Sequence, residues 1–137
     1  MLTLEIVTPE RRVLNESVDH VVLPTEDRGE IDVLPGHIPL MAMLEPGELQ
    51  YYKGNQAESI AIDRGFIQVF GDTVSVLTEA AIEVEEIDPS HLDEARKRAQ
   101  EAYKEAKESG EDPEVIEQLE TKARFALVQK LIAEKRR

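Results

Sequence analysis

The chain has 137 residues, 41% of them apolar, no cysteine, and a formal charge of −13. That length and apolar content can fill one ordinary core or two small ones, and the lack of cysteine excludes a disulfide framework and any thiolate metal site. No stretch approaches the ~20 consecutive apolar residues that a bilayer crossing requires, so direct membrane insertion is not expected.

The charge is divided unevenly. Residues 1–88 hold five Lys or Arg against 18 Asp or Glu, whereas residues 89–137 hold 11 of each. A segment carrying the whole −13 repels phosphate backbones, so nucleic-acid binding through it is not expected. The change places a domain boundary near residue 88, between 1–88 and 89–137.

In chain order, Met1 to Pro9 alternates apolar and polar residues, a strand pattern with neither the basic nor the apolar region of an export signal. A cytoplasmic protein is therefore expected. Val18 to Leu23, Ser59 to Ile62, Phe66 to Phe70 and Thr73 to Leu77 are rich in β-branched and aromatic residues. Turn residues separate them, and Gly71-Asp72 predicts a tight hairpin because glycine tolerates positive φ. Many short strands at close spacing imply an all-β sandwich or barrel. Asp63 and Asp72 flank such runs, but no base or nucleophile pattern accompanies them, so a hydrolase on this body is a weak alternative.

After Glu86 the period changes. Leu92, Ala95, Ala99, Ala102, Tyr103 and Ala106 form a narrow helical stripe, and Ser90 with Asp93 three residues later resembles a capping box. Ser109-Gly110 ends that helix. Asp112-Pro113 starts another, with Asp as N-cap and Pro at the first helical position. Ile116, Leu119, Ala123, Leu127 and Leu131 continue the stripe to about Ile132, which predicts an antiparallel two-helix hairpin. The first helix's seam is mostly alanine. Alanine favours helix but buries little: each Ala in place of Leu forgoes roughly 2 kcal/mol at ~0.8 kcal/mol per methylene. Such a hairpin is expected to be helical yet loosely packed, which suits an element that detaches and re-docks.

Three motifs in order resemble the epsilon subunit of F-type ATP synthases. The first is Arg28-Gly-Glu-Ile-Asp-Val-Leu-Pro-Gly-His-Ile-Pro-Leu40, followed by Glu45-Pro46-Gly47. The second is Gly65-Phe-Ile-Gln-Val-Phe-Gly-Asp-Thr-Val-Ser-Val-Leu77, and the third Leu92-Asp93-Glu94-Ala95-Arg96. The similarity spans essentially the whole chain and implies an α+β protein, a ten-stranded N-terminal β-sandwich followed by a C-terminal two-helix hairpin. It further implies a non-catalytic rotor subunit, peripheral on the cytoplasmic side of the inner membrane. The sandwich would be held by the gamma subunit and rest on the ring of c subunits. The hairpin would either fold against the sandwich or open toward the alpha and beta catalytic subunits and block ATP hydrolysis. A generic β-sandwich adaptor with a helical interaction arm shares this architecture and stays open as the alternative.

By the same resemblance, Glu30 and His37 match positions near the c-ring contact; a turn histidine capping a Pro-Gly loop explains His37 as simply. Asp93 and Arg96 match residues that hold ATP in nucleotide-binding members, where Mg-ATP is a regulatory ligand and no cofactor is otherwise required. Basic residues of the second helix would have to complete that site: the family's two arginines there fall on Ala126 and Lys130, with Arg124 nearby, which leaves Arg124 and Lys130. An ordinary i,i+3 ion pair explains Asp93 and Arg96 equally well, and no glycine-rich phosphate loop is present. The sequence departs from the family pattern at Asp32, where a second glycine is usual and Asp would have to tolerate a left-handed backbone, and at Lys97. Lys122, Arg124 and Lys130, with Lys135, Arg136 and Arg137, make the second helix basic toward its end. They complement the helix dipole and, by resemblance, would meet an acidic loop of the beta subunit. His20, His37 and His91 are scattered without ligand spacing, so no metal site is expected.

Overall fold

A computed structural model describes residues 1–135; Arg136 and Arg137, counted above in the basic end of the second helix, lie outside the described residues. Ten strands come first: β1 (Leu2–Val7), β2 (Arg12–Val18), β3 (His20–Thr25), β4 (Gly29–Val33), β5 (Leu40–Leu44), β6 (Gly47–Lys53), β7 (Gln56–Ile62), β8 (Gly65–Phe70), β9 (Thr73–Thr78) and β10 (Ala81–Glu83). A 3-10 turn at Val84–Glu86 leads to helices α1 (Leu92–Glu108) and α2 (Pro113–Lys135). The expected α+β architecture, a ten-stranded sandwich followed by two helices, is what the chain adopts.

The strands hydrogen-bond in the order β10-β7-β6-β3-β5-β8-β9-β1-β2, with β4 added on β3. All pairs are antiparallel except β1 with β9. The β3–β5 link is a single Thr25–Leu44 pairing, so the sheet can fold over on itself there. Alternation then does the sorting: Leu2, Leu4 and Ile6 of β1 point inward with Ile67 and Val69 of β8 and Val74 and Val76 of β9. β7 departs from alternation, because Ser59, Ile60, Ala61 and Ile62 are all buried. Ile60 and Ile62 face the main core, while Ala61 faces the helices. That strand is covered on both sides.

Gly71 turns the β8–β9 hairpin at φ +59, between paired Phe70 and Thr73, the geometry that needs no Cβ. Asp32 is not left-handed as expected. It lies extended in β4 opposite Val22, positive φ among the described residues is confined to glycine, and Gly29 at φ +68 takes the turn. The Asp32 carboxylate lies instead 2.9 Å from His20 Nδ1, and the His20 ring stacks on Tyr52 at 4.2 Å. The run Val18 to Leu23 is also broken. The Asp19 amide donates to the Tyr52 carbonyl at 2.7 Å, and its carboxylate accepts from the Gly54 amide at 2.6 Å, which separates β2 from β3.

The helices follow their signals at the end of α1 and the start of α2 but not at the start of α1. Asp112 Oδ1 accepts from the Glu114 amide at 3.1 Å, as an N-cap should. Gly110 at φ +70 lets the Glu111 amide reach the Ala106 carbonyl at 3.1 Å, a Schellman closure. The capping box at α1 does not form: the Ser90 hydroxyl and amide both donate to Asp88 Oδ1 at 2.6 and 3.0 Å, and His91 occupies the cap position without a side-chain bond. A serine beside an Asp-Pro turn finds that nearer carboxylate first. The Asp88 carboxyl is accordingly held below its usual range, chiefly by the Ser90 hydroxyl.

Candidate functional site

Two cores exist. The main one lies inside the sandwich. The second is small, made of Ala61 with Val84, Ile87, Leu92, Val128 and Ile132, flanked by Ile82, Phe125 and Ala133. It is the seat on which the hairpin rests. Because α2 has α1 on one side and β6 and β7 on another, it buries two faces rather than one stripe. Ala126 and Val128, roughly 200° apart around the helix, are both buried. Leu127 and Leu131, expected in the stripe, are instead 40% and 56% exposed.

Beside this seat a two-pronged polar contact joins the two halves. Asp63, in the turn after β7, is fully buried and receives Arg124 of α2 in a fork: Nε to Oδ1 at 2.7 Å and Nη2 to Oδ2 at 2.9 Å. The hydrogen bond from Arg124 to Asp63 raises the guanidinium pKa above its ordinary value. Asp63 is held from behind. Its amide donates to the Ala80 carbonyl at 3.0 Å and lies 3.1 Å from the Thr78 hydroxyl, which donates to the Asp63 carbonyl at 2.9 Å. The sequence marked Asp63 as a lone carboxylate. Only the fold shows what it was waiting for.

A second cross-link joins the helices to each other. Lys130 Nζ lies 3.0 Å from Asp93 Oδ1, and this contact chiefly lowers the Asp93 pKa. Pro89, Leu92, Asp93, Lys130, Ala133 and Glu134 line a shallow depression there. Of the four residues expected around a nucleotide, the structure brings Asp93 and Lys130 together. Arg96 sits half-buried one turn along α1, with Nη1 3.4 Å from Gln100 and Nε without a partner. Arg124 is on another face of α2, committed to Asp63, with Glu120 at 3.8 Å. Lys122 is exposed.

The c-ring candidates sit apart from the helices. Glu30 is exposed in β4, paired with Pro24. His37 lies in the loop between β4 and β5, where its Nδ1 is 2.6 Å from the Ile38 carbonyl and its amide donates to the Leu34 carbonyl at 3.1 Å. His37 is thus a turn residue in its local bonding, and the loop it shapes leaves Leu34 and Ile38 exposed at 52% and 75%. Among the described residues no group of three or more His, Asp or Glu could hold a metal ion.

An exposed apolar band crosses the sheet. Register places Met43 beside Phe66, Phe66 beside Leu77, and Leu77 beside Val7, one row over β5, β8, β9 and β1. Met43, Phe66 and Leu77 are 44–50% exposed, and Met41 and Phe70 nearby 68% and 71%. Sequence reasoning missed this band, although Phe66 and Phe70 sit at the opposite parity from core-facing Ile67 and Val69, a signal that was available.

Residues 1–84 match the model of the ATP synthase delta/epsilon chain β-sandwich domain. The ATP synthase epsilon chain of Herpetosiphon aurantiacus is 38% identical over 136 residues, 99% of this chain and 96% of that one. The chain belongs to the epsilon family of F-type ATP synthases. The epsilon chain of Syntrophobacter fumaroxidans is 45% identical over 107 residues, 78% of this chain and 79% of that one. A chain of the Euglena gracilis mitochondrial ATP synthase, in an assembly of OSCP, F1 and c-ring, superposes with TM-score 0.66 at 27% identity, over 97% of this chain and 80% of that chain. A chain of the Tetrahymena thermophila central stalk and c-ring shares the fold alone, at TM-score 0.53 and 15% identity over 62% and 68% of the two chains. The matched 1–84 closes one residue past the last strand of this epsilon-family sandwich.

Proposed function

We propose that this epsilon-family chain is a non-catalytic rotor part of the central stalk. Its sandwich is gripped by the gamma subunit and rests on the c-ring, and its helical hairpin is a mobile brake on ATP hydrolysis. The solved relative in an F1 and c-ring assembly supports the placement. The row of exposed Met43, Phe66 and Leu77 supports a protein partner on the sheet face, since a contiguous apolar patch marks an interface. The exposed loop of Leu34, His37 and Ile38 is the surface offered to the c-ring, with Glu30 on the adjoining strand. No described helix is long and apolar enough to cross a membrane; the proposed place is peripheral, on the cytoplasmic side.

The single observation that carries the brake is the disparity between the cores. Seventeen buried side chains fill the sandwich and six make the seat of the hairpin, so the arm can leave at far smaller cost than the body can open. On leaving, it presents Lys122, Arg124 and Lys130 to acidic residues of the beta subunit. Deleting everything after Asp88 tests this. The remaining sandwich should fold, assemble with its complex, and raise ATP hydrolysis; unchanged hydrolysis would remove the brake.

Nucleotide sensitivity is a separate part of the proposal. Asp93 and Lys130 line one depression, with Arg96 one turn along α1, whereas Arg124 would have to abandon Asp63 to reach it. Calorimetry of the isolated chain with Mg-ATP decides: a heat signal lost in Arg96→Ala supports the site, and silence of the unmodified chain ends it.

A further inference from the structure

We infer that the Asp63–Arg124 fork is the latch of the hairpin, a register key that holds α2 on the sandwich and withholds Arg124 from carboxylates outside the chain while the arm is down. It rests on the mobile-arm reading above and adds which atoms decide between docked and free.

Three features of the contact separate it from the other ion pairs. Asp63 is fully buried whereas Arg124 keeps 20% of its side-chain surface, so the acid belongs to the body and the base to the arm. The other ion pairs among the described residues are mostly between exposed groups, which gain little in water. The fork is bidentate, so it accepts one position and one rotation of α2 and loses both bonds after a small slip. And Asp63 is anchored by its own backbone to Thr78 and Ala80, which lets the acid stay put while the arm moves.

The energetics suit a latch better than a weld. A buried ion pair adds little net stability over apolar packing, because removing both ions from water offsets most of their attraction. Losing one partner is another matter, since it leaves the other charge buried and uncompensated. Undocking solves that problem by itself: once α2 lifts, Asp63 and Arg124 both regain water, and Arg124 becomes available to an external acid. The small apolar seat sets how much the arm resists. The fork sets where it lands.

The natural absence of cysteine allows a direct measurement on the full chain. Gln56→Cys on the body and Glu117→Cys on the arm, both at exposed positions, carry a fluorophore pair that reports the docked fraction. Asp63→Asn and Arg124→Ala should each raise the detached population at least about tenfold, and the two together no more than the worse of them, as for partners in one contact. Arg124→Lys, which keeps charge but not the fork, should behave like Arg124→Ala. Circular dichroism of the strands confirms that the body stays folded in each variant. Ile132→Glu serves as the control that forces the apolar seat apart. If it detaches the arm while the Asp63 and Arg124 variants stay docked, the latch is wrong and the mobile arm stands. If even Ile132→Glu leaves the arm in place, the mobile arm fails and takes the latch with it.

Discussion

Tyr51 shows how an acidic body treats one of its own titratable groups. Its ring is 4% exposed on β6, and its phenol is pushed up from 10.0 to about 12, first by burial and then by Glu16, Glu58, Glu83 and Glu85. Because the folded value lies above the unfolded one, the folded state favours the neutral phenol. That contribution is complete below pH 10 and is lost as pH rises toward about 12. Ultraviolet titration of the folded chain should therefore contain a component near pH 12 that disappears in Tyr51→Phe, a variant that should also resist alkaline unfolding better. A phenol titrating at its ordinary value would refute the assignment. Asp63 teaches a different lesson at the same scale. A carboxylate between two strand-like runs suggested nothing by itself, because its partner lies 61 positions away in sequence.

Among the elements, α2 departs furthest from its sequence pattern. A 3.6-residue stripe describes a helix with one buried face, but this helix is wedged between a second helix and a sheet. Small residues, Ala123 and Ala126, are buried along with Val128 and Ile132, and two leucines are left outside. Within the hairpin, Asp93 and Lys130 form the polar staple. The Asp93 carboxyl is depressed chiefly by Lys130, so the bond is present above the ordinary carboxylate value of ~3.9 and is lost as pH falls through the lowered one. Asp93 is exposed, so the effect is local. Lys130→Met should leave global melting almost unchanged. Exchange protection of the amides at the start of α1 and the end of α2 should fall at neutral pH and no longer respond to acid. Equal acid sensitivity in the variant would show that another group governs the hairpin.

For the whole molecule, the division of surface is the organising fact. The sandwich holds all of the net negative charge, yet one of its faces carries an apolar row across four strands. Charge keeps the body soluble and selects against phosphate-rich partners, while the row supplies the area that a tight protein contact needs. Phe66→Ser should preserve the fold, because the ring is half exposed, and weaken association with the gamma subunit by roughly tenfold or more, as loss of a central aromatic anchor does. Undiminished binding to gamma would move the interface elsewhere on the body.

Local chemistry sufficed for a great deal here. Alternation, hairpin glycines and the switch of period after Glu86 determined an all-β body followed by two helices, and the Asp112 cap and Gly110 closure came out as read, since each depends on residues within a few positions of one another. The motifs around Leu34–Leu40 and Gly65–Leu77 carried the family. Tertiary structure decided which carboxylate meets which base, which faces of α2 and β7 are covered twice, and which apolar side chains of β5, β8 and β9 remain outside. Those outcomes depend on distant segments meeting in space. Neither periodicity nor spacing along one strand or helix encodes what will later be packed against it.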